Sequence, residues 1–443
     1  MALRAKPEGH RRLSMNLWKR SFGKASLLLA AILAVGLQPI SLAHAQTYTV
    51  LYTFTGGDDG ANPLAGLTMD SSGNLYGTAV GSGSYGWGTV WELTGSGLGW
   101  SFSTLYAFQG LTGRIADGGG PASRAVFGPN GGLYGTTMHG GFGQGCIEWN
   151  FGCGTVYSLR NRSGSWVEGI FFQFGNFDGG NPGYGDVIFD TAGNLYDTSA
   201  ISGPAGMGVA YQLHTINFGE RVLRTFTGTP DGSNPFSGPI LDSSGNLYGT
   251  ATTGGANGYG AVYELSPSPS GWTEAVLYSF TNGGDGAGPT SNLVMDRSGN
   301  LYGATQSGGT YGGGTVFKLS KTSGSWTFAT IYEFRAATKS APGQVFSGGC
   351  AGQPFTGSNR TLSIDAAGTL YGTTSADTVN QYGSVFKLSP SGTTWTYTSL
   401  HNFSGADGGV PWGSLLLDTA GNLYGTAAIG GTNGCGLIFE ITP

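Results

Sequence analysis

The chain has 443 residues, with 20 Lys and Arg against 25 Asp and Glu, a net charge of −5. Only 10% of its residues are charged, against about 25% in ordinary soluble domains, so nucleic acid and anionic membrane surfaces are excluded as natural partners. Glycine is abundant, at 84 residues, but 12% aromatic content excludes a disordered chain and points to many short strands joined by tight turns.

Residues 1–45 read as a secretory signal peptide. Arg11, Arg12, Lys19, Arg20 and Lys24 form a basic segment, Ala25–Ile40 is apolar, and Ala43-His44-Ala45 is a small-residue cleavage site. Arg11-Arg12 keeps a twin-arginine route open beside ordinary secretion, and Met15 is an alternative start. Removal takes seven basic residues and one acid, leaving 20 − 7 = 13 basic and 25 − 1 = 24 acidic residues, a net of −11. No second long apolar run follows. The mature chain, 46–443, is therefore expected to be secreted, extracellular or periplasmic, with no transmembrane segment.

The first repeated element is Gly73-Asn74-Leu75-Tyr76-Gly77-Thr78. It returns as Gly245–Thr250 and Gly421–Thr426, with near copies at 131–136, 193–198, 299–304 and 368–373. The seven tyrosines are 52 to 69 residues apart, a period that means one supersecondary unit per repeat. Each unit shows four strand signals. A short apolar run (Gly66–Met69) meets an Asp-x-x-Gly-Asn turn, whose Asp bonds nearby backbone and whose Gly supplies positive φ. The second strand is Leu75–Thr78, a Gly-rich loop leads to the third (Gly88–Leu93), and a fourth ends in Leu105-Tyr106-Ala107-Phe108. An Asp-Gly-x-x-Pro turn then opens the next unit.

Four antiparallel strands repeated seven times predict an all-β, seven-bladed β-propeller. The mature chain begins with a fourth strand, Thr47–Phe54, and ends with a third strand, Gly436–Ile441. The N-terminal strand is thus expected to complete blade 7 and close the ring, removing exposed edges. This order puts the loops joining fourth to first and second to third strands on one face, the top. Both insertions, Phe142–Cys153 and Arg335–Asn359, fall there.

The motif order LYGT, Gly-rich loop, GTVFKL, LYxF, GGxDGxxP, best seen at Gly284–Pro289 and Gly314–Leu319, resembles the choice-of-anchor tandem repeat GloVer-containing proteins, a secreted bacterial family. The resemblance covers 47–443 and implies an exported repeat protein. The Asp-x-x-Gly-Asn-Leu-Tyr piece alone is also similar to segments of NHL-type, gluconolactonase-type and virginiamycin-lyase-type propellers.

No nucleophile elbow, zinc-protease helix or phosphate loop is present. The Asp residues of Asp-Gly-x-x-Pro (Asp59, Asp117, Asp178, Asp231, Asp285, Asp407) are read as bonding their own turns rather than holding a cation. No catalytic residue, metal site or cofactor is expected, and Asp197, where six copies carry Gly, reads as drift. Trp87, Met207, Tyr259 and Tyr382 share one position and read as plugs over the blades. The candidate ligand-binding residues are those that depart from the repeat on the top face: His139, Phe142, Glu148, Trp149, Phe151 and Arg335. Expected disulfides are Cys146–Cys153 and Cys350–Cys435. The expected function is noncatalytic binding or scaffolding, as a monomer, with an extracellular carbohydrate or protein as partner; the alternative is a polysaccharide hydrolase or lyase.

Overall fold

A computed structural model describes residues 46–97, 99–110, 117–141, 152–175, 177–182, 184–214, 219–336, 362–375 and 381–443. Every element described is a β-strand, and Gln46–Pro443 forms one unit. Seven antiparallel sheets follow one another along the chain, each with its strands in the order innermost to rim. In the first, Thr68–Met69 pairs with Leu75–Ala79, then Thr89–Ser96, then Gly99–Ala107. The seventh is built from both chain ends: Leu416–Leu417, Leu423–Ala427, Leu437–Thr442 and then Thr47–Thr53. Thr47 lies opposite Thr442 and Thr53 opposite Leu437. The molecule is a seven-bladed β-propeller whose ring is closed by its N-terminal strand.

The repeated hexapeptide is the second strand, and each of its residues has a physical job. In blade 1 the Asp70 carboxylate accepts bonds from the Ser72 and Asn74 amides, at 2.8 and 2.9 Å, fixing the hairpin. Gly73 takes φ +85° there, a region side chains disfavour. The Tyr76 hydroxyl then donates to Asp70 at 3.1 Å. The same bond recurs from Tyr196, Tyr248, Tyr302, Tyr371 and Tyr424 to their own turn Asp. In blade 2, where Asn130 replaces the Asp, the direction reverses and Asn130 Nδ2 donates to Tyr134. Each Tyr ring also meets the next blade: Tyr76 with Trp166, Tyr196 with Trp272, Tyr248 with Trp326 and Tyr302 with Trp395 are edge-on pairs with centroids 6.0–6.4 Å apart.

The Thr of the motif latches successive blades near the axis. Thr78, Thr198, Thr250 and Thr426 donate to backbone carbonyls of the following blade, at Ser123, Ser237, Ser291 and Ala65. The last crosses the closure from blade 7 to blade 1. The Gly lets the strands sandwich a large ring. A Cβ on Gly77 would lie 2.4 Å from Cζ2 of Trp91, which is fully buried. Gly77→Ala is therefore expected to overpack the blade and lower stability by roughly 1–3 kcal/mol, read as a fall in urea midpoint without a change in slope.

Candidate functional site

The repeat consumes most of its own polar groups. Asp59 accepts from the Tyr52 hydroxyl at 2.8 Å, the Thr55 amide at 2.7 Å and the Thr55 hydroxyl at 2.5 Å. Asp285 has the same three partners in Tyr278 and Thr281, and Asp117, Asp178, Asp231 and Asp407 each bond their own turn. These carboxylates tie the top-face loops to the fourth strand of the same blade. Among the described residues, no group of three or more His, Cys, Asp or Glu is placed to hold a metal ion.

Large apolar side chains are exposed among the described top-face loops. Tyr85, Met207, Tyr259 and Tyr311 in second-to-third-strand loops, and Phe177 in the loop entering blade 3, all lie open, Phe177 at 78%. The shared plug position divides. Trp87 and Tyr382 are half-buried, lying against the backbones of Gly110 and Gly119 and of Gly405 and Gly409 respectively. Met207 and Tyr259 are exposed instead.

Arg335 lies at the edge of this surface, its guanidinium 4.8 Å from the Tyr311 ring centroid, a stacked cation over an aromatic face. His139 lies across the face in blade 2, edge-on to Trp87 at 6.0 Å, and burial lowers its pKa, keeping it neutral at pH 7. Phe142, Cys146, Glu148, Trp149, Phe151 and Cys350 lie outside the described residues. Cys153 and Cys435 are both disulfide-bonded; the partners expected for them, Cys146 and Cys350, are among the residues just named. His401 stacks on Tyr48 at 3.8 Å and bonds Asp407, a packing role.

Sequence reasoning passed over the mouth of the central channel. Four residues before the hairpin turn stand Gly66, Arg124, Asp186, Gly238, Asn292 and Ser414 in six of the blades, and Gly66, Asp186, Asn292 and Ser414 line one cavity. Asp186 gathers three bonds there: the Arg124 guanidinium at 3.1 Å, the Arg124 amide at 3.1 Å and the Asn292 side-chain amide at 3.2 Å. Those partners come from blades 2 and 5, so the network spans the axis. Tyr184, Phe236, Thr290 and Trp412 help line the cavity of about 30 Å³ beside it, room for about one or two waters. Behind it lies Asp197, fully buried, with Tyr211 donating to one oxygen at 3.3 Å and no hydrogen-bond partner on the other. Burial pushes the Asp197 carboxyl well up, and the Asp186 charge pushes it further. The readable signal was that this axial position is the inner-strand site whose chemistry changes from blade to blade.

The fold and these loops define a ring-closed β-propeller with a departing top face. The chain belongs to the Gloeobacter/Verrucomicrobia repeat family, whose model matches residues 147–357 and 351–443. No curated protein matches it. Similar solved structures include a putative 6-phosphogluconolactonase from Bacteroides uniformis, 14% identical, covering 80% of this chain and 88% of that one, with a TM-score of 0.49. A Lactobacillus plantarum protein is 14% identical over 84% of this chain and 99% of its own, with a TM-score of 0.47. A putative oxidoreductase (glucose dehydrogenase) from Thermus thermophilus is 13% identical over 90% of this chain and 100% of its own, at 0.41. Likeness at this level says nothing about activity. Among the described residues no helix is long and apolar enough to cross a membrane.

Proposed function

We propose that this protein is an exported, noncatalytic binding propeller that takes an extracellular glycan or protein on its top face. The observation that carries the reading is the segregation of surface chemistry: among the described residues, the large exposed apolar side chains outside the rim strands, Tyr85, Phe177, Met207, Tyr259 and Tyr311, lie in top-face loops. Rigid aromatic side chains with polar tips are the groups that stack on sugars and anchor protein contacts. The insertions 142–153 and 335–359 belong to the same face, with Phe142, Trp149 and Phe151 supplying stacking area and His139, Glu148 and Arg335 orienting polar groups. Disulfides Cys146–Cys153 and Cys350–Cys435 would pin these loops and lower the ordering cost of binding. The mature chain starts near Gln46 and acts as a monomer.

A glycan array with the mature protein supplies the probe. Tyr311→Ala and the pair Trp149→Ala/Phe151→Ala are expected to weaken binding to the best array hit about tenfold or more. Trp326→Ala, on the opposite face, should lower stability and leave affinity unchanged. Unchanged affinity in both top-face variants would remove the reading. The enzyme alternative draws on Asp197, a buried carboxyl beside Asp186 whose proton is held by burial. Reducing-sugar release from a polysaccharide panel, abolished in Asp186→Asn, would favour it.

A further inference from the structure

Blade 5 departs from the other six on the top face. In those six, the residue after the terminal Phe of the rim strand meets the Asp of the loop that follows. The hydroxyls of Thr55, Thr227, Thr281 and Ser404 donate to Asp59, Asp231, Asp285 and Asp407, and the amides of Gln109 and Gly175 donate to Asp117 and Asp178. In blade 5 that residue is Arg335, and residues 335–360 hold no Asp or Glu. The same segment carries three cations, Arg335, Lys339 and Arg360, in a mature chain where acids outnumber bases. A cation thus stands at the position that meets a loop carboxylate in every other blade, and its own loop supplies none.

The strands around Arg335 hold it in place. The third and rim strands of this blade, Gly312–Thr322 and Ser325–Arg335, run for 11 residues each. Among the described residues no other third strand exceeds 8 and no other rim strand exceeds 9. The extra length carries the pairing into the top-face loop: Gly312 lies opposite Arg335, and the Ala336 amide donates to the Tyr311 carbonyl at 2.9 Å. Gly313 permits this, since a Cβ there would collide with the Arg335 carbonyl; Trp87, Met207, Tyr259 and Tyr382 occupy the matching position elsewhere. Glu333 is turned to the loop and accepts from the Thr310 amide at 2.7 Å. Arg335 is exposed, with no ion-pair partner among the described residues. Its guanidinium lies 4.8 Å from the ring centroid of Tyr311, which is 50% exposed.

We propose that Arg335 and Tyr311 form a subsite for a uronic acid, so that the top face takes a glycan bearing isolated carboxylates; this rests on the binding role proposed above. A guanidinium laid against an aromatic ring keeps its N–H edge open for a bidentate pair with a carboxylate, and its planar fork loses little freedom on binding. A uronic acid carries its carboxylate and an apolar C–H face on one rigid ring. One sugar residue can therefore meet both the cation and the exposed aromatic. A peptide would bring the carboxylate on a rotatable side chain, and ordering that side chain costs more. Acidic sugars spaced by neutral ones suit this chain better than a polyanion, because the mature protein is itself net negative.

Titration of the mature protein with paired oligosaccharides tests this. Each probe bears one glucuronic, galacturonic or mannuronic acid among neutral sugars, and its partner is the same molecule with the carboxyl reduced to an alcohol. At least one acidic probe is expected to bind about tenfold or more tighter than its reduced partner, and to weaken as salt is raised. Arg335→Gln should erase the preference at an unchanged melting temperature, and Tyr311→Ala should weaken the acidic probe about tenfold. Arg297→Gln, the same charge change at an exposed turn on the opposite face, should alter neither. Equal binding of acidic and reduced probes, no binding of any acidic probe, a preference that persists in Arg335→Gln, or tighter binding of a polyglutamate peptide overturns the uronic acid subsite. Equal binding that Tyr311→Ala weakens would overturn the subsite and leave the top-face role standing, whereas glycan binding untouched by the top-face variants would remove both.

Discussion

A mature chain lacking Thr47–Phe54 is expected to lose far more stability than eight terminal residues ordinarily supply. That strand provides the whole rim of blade 7, with six register pairs to Leu437–Thr442. Phe54 is fully buried and packs edge-on to Trp91 of blade 1 at 5.8 Å. Tyr52 stacks on Phe102 across the junction, and Tyr48 stacks on His401 and donates to the Asp407 carbonyl at 2.7 Å. Burial of one large side chain contributes about 1.5–3 kcal/mol, and three rings are lost together with a ladder and a blade junction. The expected fall exceeds about 5 kcal/mol, or roughly 10 °C in melting temperature. A synthetic peptide of residues 47–54 added in trans should restore part of it. Equal melting of truncated and full-length mature protein would refute closure as a source of stability.

Replacing Asp197 should stabilise the protein, and more so at high pH. Its side chain stands where the other blades have Gly, and is fully buried beside Asp186, with one oxygen unpartnered. The folded carboxyl binds its proton more tightly than the unfolded one. Stability is therefore unaffected below the ordinary Asp range and falls, by about 1.4 kcal/mol per pH unit, as pH rises toward the raised folded pKa. Asp197→Asn removes the charge and Asp197→Gly restores the repeat residue. Both are expected to match the parent near pH 4 and to exceed it by a margin that widens as the pH rises to 8. Urea melts at the two pH values supply the measurement, and parallel pH profiles for parent and variants would overturn the account.

The drift reading of Asp197 followed from comparing it with Gly77 or Gly249 along the chain; its proximity to Asp186 shows only when strand and axis are both in view. Arg335 was legible as a departure from the repeat, and its stacking partner Tyr311 as a loop aromatic, but their pairing depends on how the two ends of one blade meet. The exposure of Met207 and Tyr259 beside the partial cover of Trp87 and Tyr382 was not legible, since four residues at one repeat position look alike until the neighbouring loop is placed.

The sequence by itself determined the blade. Its turns are local: an Asp two and four residues from the amides it accepts, a Gly with positive φ, a Tyr that returns to the same Asp. Alternation along each strand then assigns the faces, and the order of strands at the two ends dictates closure without any coordinates. Tertiary structure alone decided which residues meet between blades. Arg124, Asp186 and Asn292 are separated by 62 and 106 residues, and Arg224 reaches across a blade junction to pair with Glu274. Those encounters depend on the radius and angle at which seven sheets pack, a property of the assembled ring that no turn or strand encodes by itself.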